Sequence, residues 1–175
     1  MDMIPQKILS EPISGVNISG NTLRQEIGES ETLLVFLRHF GCLFCREMVR
    51  DVRAEHYKPG GFLPTLFFYQ GSVEDGVRFF DYYWPDARAI ADPEMKFYHA
   101  FGIDRAGFGQ LVGPEVVACG IRATLKGNMA GKPIGDVKTM PGMFIVKGSS
   151  VLWQHNFRHA GDHPDLTQIP RMMPA

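Results

Sequence analysis

Cys42 and Cys45, separated by two residues, are the side chains of this sequence best suited to covalent chemistry. Two thiols at that spacing on a helix lie nearly one turn apart, close enough to form a disulfide without unwinding it, so the pair can cycle between dithiol and disulfide. The local sequence puts them at a junction. Leu33 to Leu37 is an apolar run that reads as a short buried strand, Arg38 to Gly41 as the turn off its end, and the segment from Leu43 as a helix. Phe44, Met48, Val49 and Val52 make one apolar stripe on that helix, Arg46, Glu47, Arg50, Asp51 and Arg53 lie mainly off it, and Pro59-Gly60-Gly61 ends it. The first N–H groups of a helix lack intrahelical partners and stabilise negative charge, which is what a thiolate carries. A cysteine so placed has a pKa of roughly 3.5–7.5 in place of about 8.5, and is nucleophilic at neutral pH. Arg38, His39 and Arg46 stand close in sequence and add positive potential where their side chains turn inward. Position alone makes Cys42, at the helix start and expected to be the more exposed, the attacking thiolate, and Cys45 the thiol that resolves a mixed disulfide or sulfenic acid.

The same residues bear on two other fates for the pair. A zinc site needs two further ligands at suitable spacing, and neither a second C-x-x-C nor a C-x-x-H exists. Inert burial of both thiols is the remaining alternative. The third cysteine, Cys119, lies among Val116, Val117 and Ile121 and reads as core packing. Three cysteines make no disulfide framework, residues 1 to 10 lack the layout of a secretory signal, and no apolar run is long enough for a membrane span. The expected compartment is cytoplasmic, where a C-x-x-C is more often catalytic or metal-binding than structural. Eighteen basic against nineteen acidic side chains leave a formal charge of −1, so no global field favours nucleic acid or an anionic membrane.

The remaining elements follow from pattern. Residues 1 to 30, with Pro5, Pro12, Gly15, Gly20 and Gly28, read as an extended lead-in with a short strand or hairpin near Ile13 to Ile18 and a helical turn at Leu23 to Ile27. Leu63 to Tyr69 reads as a second buried strand. Ser72 opens a helix with Glu74 and Asp75 in its first turn, ending before Pro85. A strand from Arg88 to Ala91 precedes a helix capped by Asp92, beginning at Pro93 and ending at Phe101. A Gly-rich connection covers 104 to 113, a helix runs from Pro114 to about Lys126, and Met143–Lys147 with Val151–Phe157 read as a hairpin. Strand, helix, strand, helix, strand is the order of an α/β fold with parallel pairing, and 175 residues suit one domain.

Phe36-Leu-Arg-His-Phe-Gly-Cys-Leu-Phe-Cys-Arg46 resembles the signature of the peroxiredoxin-like antioxidant proteins, a branch of the alkyl hydroperoxide reductase and thiol-specific antioxidant (AhpC/TSA) group. Asp92-Pro-Glu-Met-Lys-Phe-Tyr-His-Ala-Phe-Gly-Ile103 is similar to the stretch those proteins carry after their third strand, and Ala160-Gly-Asp-His-Pro-Asp165 again resembles the family. The resemblance covers about residues 31 to 165. It implies a thioredoxin-like mixed sheet flanked by helices, a Cys42/Cys45 dithiol cycle without bound cofactor, a peroxide or disulfide substrate, and a thioredoxin- or glutathione-type reductant, and it admits a homodimer. Thioredoxin-like folds place a cis-proline before the first hairpin strand, facing the cysteines; Pro141 matches that position, and the sequence is compatible with either isomer. Peroxiredoxins proper carry proline seven residues and Thr or Ser three residues before the attacking cysteine, where this chain has Val35 and His39. Beside the peroxidase stand two alternatives: a thioredoxin-like protein disulfide reductase, and a redox-inactive binding module on the same fold.

Four further features have plain readings. His155, His159 and His163 recur every fourth residue, but the alternation of Val151, Trp153, His155 and Phe157 marks a strand, against a three-His metal site. Gly127 to Pro133 departs from the spacing of a phosphate loop and reads as an ordinary loop. The aromatic group Phe79, Phe80, Tyr82, Tyr83 and Trp84 reads as core and groove lining that would suit a lipid-like substrate. Pro170 to Ala175 is expected to be a loose tail.

Overall fold

The computed structural model describes residues 2–169. Six strands form one mixed sheet: β1 (Gly15–Val16), β2 (Thr32–Phe36), β3 (Thr65–Tyr69), β4 (Arg88–Ala91), β5 (Gly142–Lys147) and β6 (Ser150–Gln154), in the order β1-β4-β3-β2-β5-β6. β2, β3 and β4 are parallel, while β1, β5 and β6 pair antiparallel with their neighbours. Every residue of β2 and β3 is buried, as expected of central strands covered on both faces, whereas edge strand β6 alternates between exposed and half-buried.

The pleat of β2 divides the core in two. Leu33, Val35 and Leu37 face one cluster, built with Phe44, Met48, Val49 and Val52 of α3 (Leu43–His56) and Phe79 and Phe80 of α4 (Val73–Tyr83). Leu34 and Phe36 face the other, with Phe97 and Tyr98 of α5 (Lys96–Ala100), where Phe36 stacks on Phe68 at a centroid distance of 4.3 Å. Both parallel crossovers, α3 and α4, thus lie on one face, and the end of β2 delivers the chain to the start of α3. The cysteine pair stands at that junction.

Several expectations needed correction. The first thirty residues hold the expected short strand, β1, and the expected helical turn, α2 (Leu23–Ile27), but add a helix that was not expected, α1 (Gln6–Leu9), and bury Ile4, Leu9, Val16, Leu23 and Ile27; β1 pairs with β4. The helix expected from Pro93 starts at Lys96, because the buried Asp92 carboxylate accepts the Lys96, Phe97 and Tyr98 N–H groups while Met95 turns through a left-handed φ of 57°. The Gly-rich connection contains a short helix, α6 (Phe108–Val112), which leads into α7 (Pro114–Leu125). On α7 only Val116 and Ala123 are buried; Val117, Ile121 and Leu125 point outward, and Cys119 is half-buried against the core. The tail expected at 170–175 lies outside the described residues. No helix among the described residues is long and apolar enough to cross a membrane.

Candidate active site

Leu37 N–H still bonds to Phe68 C=O, so the sheet holds the chain up to the residue before Arg38. The turn then closes through Cys42 N–H to His39 C=O at 3.0 Å, leaving Cys42 as the N-cap of α3 in an extended conformation and Cys45 in the helix's first turn. Gly41 is required here: a Cβ on it would collide with the backbone of Gly131 and Lys132, whose loop bonds back through Gly131 N–H to Gly41 C=O. The two thiols are 3.7 Å apart and both are free.

Expected to be the more exposed thiol, Cys42 is instead only 5 % exposed, because the turn is packed into the core with Phe40 and Phe44 around it. Burial alone would raise its pKa. The Cys45 thiol donating to it, the Arg38 guanidinium and the free N–H groups at the start of α3 outweigh that and hold it down to about 6. Cys45 moves the opposite way, raised by burial and by its neighbour Cys42. One thiol of the pair is thereby selected as the anion.

Arg38 is the residue that joins them. Its side chain turns inward and is buried; Nη1 donates to Cys42 Sγ at 3.4 Å, and its backbone N–H donates to Cys45 Sγ at 3.2 Å. Nε and Nη2 are fixed by the carbonyls of Thr139 at 2.7 Å and Val137 at 2.6 Å. Arg46, which the sequence also placed beside the thiols, turns the other way. It donates to Phe40 C=O at 3.1 Å and Met129 C=O at 2.6 Å and so secures the loop around Gly131. His39 lies half-buried with Nδ1 unpartnered, and burial together with Arg38 and Arg46 lowers its pKa to about 4, so its ring is neutral at neutral pH. Pro141 has a trans peptide bond, there being no cis bond among the described residues. It lines a cavity of about 10 Å³ together with Cys45, Phe44, Met48, Phe157 and His163, space for about one water.

Two participants escaped the sequence. Gln70, directly after β3, donates through Nε2 to Arg38 C=O, and the 136–139 turn supplies the carbonyls that hold the guanidinium. The signal for Gln70 was faint: one amide closing the buried run Thr65–Tyr69. His163 packs edge-on to Phe44 at 6.2 Å and places Nδ1 3.5 Å from Glu47 Oε2, while His159 faces Glu115, so the three histidines do not converge. Glu47, Asp51 and His163 offer ligand atoms within 4.8 Å of one another, but Lys126 Nζ already bonds Glu47 and Asp51 at 3.0 Å each, and a protein cation fills the place a metal would take.

The fold is similar to those of solved peroxiredoxins. A cysteine-to-serine variant of Xanthomonas campestris peroxiredoxin Q matches with a TM-score of 0.58 at 15% identity, covering 90% of this chain and 86% of that one. The bacterioferritin comigratory protein of the same organism, described for alkyl peroxide reduction, matches at 0.56 and 14% over 90% and 86%. Mycobacterium tuberculosis peroxidoxin BcpB matches at 0.50 and 14% over 87% and 90%. At such identities the likeness establishes the fold alone, and no curated protein matches the sequence. The sequence pattern of AhpC/TSA antioxidant enzymes fits residues 47–159, beginning just after Cys45 and spanning more than half the chain. With that match extending from α3 through the hairpin, on a sheet of peroxiredoxin topology, the chain belongs to the AhpC/TSA antioxidant enzyme family.

Proposed function

We propose that the protein is a thiol peroxidase working through a Cys42/Cys45 cycle. The observation that carries this reading is the asymmetry of the pair: a depressed Cys42 under an arginine and a raised Cys45 3.7 Å away. The Cys42 thiolate attacks one oxygen of a peroxide; the S–O bond forms, the O–O bond breaks, and the departing alkoxide takes a proton, giving an alcohol and a Cys42 sulfenic acid. The Arg38 guanidinium, anchored on two carbonyls, is placed to stabilise charge as the O–O bond breaks. The Cys45 thiol then attacks Cys42 sulfur, its proton and the hydroxyl leave as water, and a disulfide closes. Two thiol equivalents from a thioredoxin- or glutathione-type reductant restore the dithiol.

Burial favours peroxide over a protein disulfide, since the two-oxygen end of a peroxide is small and Cys42 is nearly covered. The disulfide-reductase reading draws on Pro141, which borders the Cys45 cavity just before β5. One experiment separates them: stopped-flow and mass-spectrometric rates of Cys42–Cys45 disulfide formation with hydrogen peroxide and an alkyl hydroperoxide. Fast oxidation that is lost in Cys42→Ser, with a trapped sulfenic acid in Cys45→Ser, is expected. Slow oxidation alongside ready exchange with a model disulfide would overturn the peroxidase reading.

A further inference from the structure

The guanidinium that faces Cys42 belongs to a side chain with many rotamers, so something must hold it there. Two carbonyls, those of Val137 and Thr139, do so directly. That turn is in turn organised by Asp136, whose carboxylate accepts Lys138 N–H at 2.9 Å and pairs with Arg105 at 2.8 Å. Opposite it stands Gln70, 8 % exposed, at the end of a central strand. Its Nε2 donates to the backbone carbonyl of Arg38, and its Oε1 accepts Asp136 N–H at 2.7 Å.

These bonds form a closed circuit. Gln70 ties the Arg38 backbone to the 136–139 turn, and the turn holds the Arg38 side chain. Arg38 in turn reaches both sulfurs, Cys45 through its N–H and Cys42 through its guanidinium. The position demands a donor and an acceptor on one short planar group, which a carboxylate or an ammonium does not provide. Gly135 fits the amide closely: it has a φ of +103°, and a Cβ on it would stand 2.8 Å from Gln70 Cβ.

We infer that Gln70 is a positioning residue of the active site, whose side-chain amide sets Arg38 over the Cys42 thiolate by bridging the Arg38 backbone to the turn that holds its guanidinium. The inference rests on Cys42 being the attacking thiolate. Gln70 touches neither sulfur in this circuit, so its influence on Cys42 passes through Arg38.

The test is a pH titration of Cys42 thiolate absorbance, with matching rates of oxidation by hydrogen peroxide. It uses the reduced full-length chain as wild type, Gln70→Met, Arg38→Met and the double variant. Gln70→Met is expected to raise the Cys42 pKa by about one unit, tenfold in the thiolate equilibrium. It should add nothing further in the Arg38→Met background, because a residue acting only through Arg38 loses its effect when Arg38 is gone. Gly135→Ala, which crowds the amide from the loop side, is expected to shift Cys42 in the same direction and supplies the measurement if Gln70→Met does not fold. A wild-type titration in both the Gln70→Met and Gly135→Ala proteins would overturn the inference, as would a Gln70→Met shift that persists undiminished without Arg38. A wild-type Cys42 that titrates like a free thiol would instead remove the attacking-thiolate reading itself, whatever Gln70 does.

Discussion

Two cysteines with the same side chain occupy one turn of helix, yet their surroundings drive their pKa values apart. Cys42 receives the Cys45 thiol, a guanidinium and helix N–H groups; Cys45 is enclosed by apolar side chains. Because the Cys45 donor is the largest influence holding Cys42 down, Cys45→Ala should raise the Cys42 pKa by about one unit, whereas Cys45→Ser keeps a donor and should move it less. Alkylation rates against pH measure this: the wild type should be half-maximal near pH 6, about tenfold slower at pH 5, with the Cys45→Ala curve displaced to higher pH. Superimposed curves would show that the Cys45 thiol does not stabilise the anion. At this scale the identity and spacing of Cys42, Cys45 and Arg38 were legible because they lie within eight residues of one another. The direction of Arg46 was not, since its partner Met129 is remote in sequence.

Among the elements, α5 shows how one buried carboxylate can start a helix where propensity would start it earlier. Asp92 follows β4 and accepts three N–H groups from Lys96, Phe97 and Tyr98, which delays the helix past Pro93 and fixes Tyr98, whose hydroxyl donates to Phe68 C=O at 3.0 Å. Asp92→Ala leaves those donors in an apolar interior and is expected to cost about 2–4 kcal/mol in urea unfolding. Asp92→Asn, which retains an acceptor, should cost less. A cost under 1 kcal/mol for Asp92→Ala would mean that water replaces the carboxylate. The Ser72 cap of α4 shows the opposite case: its partner Asp75 lies three residues away, so the helix start was legible in the sequence, and the structure closes it as a capping box.

For the molecule as a whole, His39 and His163 make stability depend on acid. Burial lowers both to about 4 from an ordinary 6.5, His163 in spite of Glu47 beside it and with Arg122 and Lys126 adding to the shift. Between pH 6.5 and 4 the unfolded chain binds protons that the folded chain does not, so stability falls as pH falls; the contribution is intact above 6.5 and lost through 4. The deeply buried His163 accounts for up to about 3 kcal/mol, and the half-buried His39, screened by solvent, for less. The urea midpoint should therefore drop markedly from pH 7 to pH 4.5, and His163→Phe should flatten that dependence. An unchanged wild-type midpoint between those values would refute the assignment.

The sequence by itself determined the order of strands and helices through the core and the junction that carries Cys42 and Cys45, because each depends on residues within one or two turns of each other. It also announced the hairpin through Gly148, which adopts a left-handed φ of 55°. Tertiary structure decided the rest. It buried Cys42, turned Arg38 inward and Arg46 away, brought the 136–139 turn and Gln70 to Arg38, and left Val117, Ile121 and Leu125 outside on a helix that looked like core. The physical reason is the same in each case: burial and hydrogen bonding across dozens of residues depend on how the elements pack, and no local pattern records that packing.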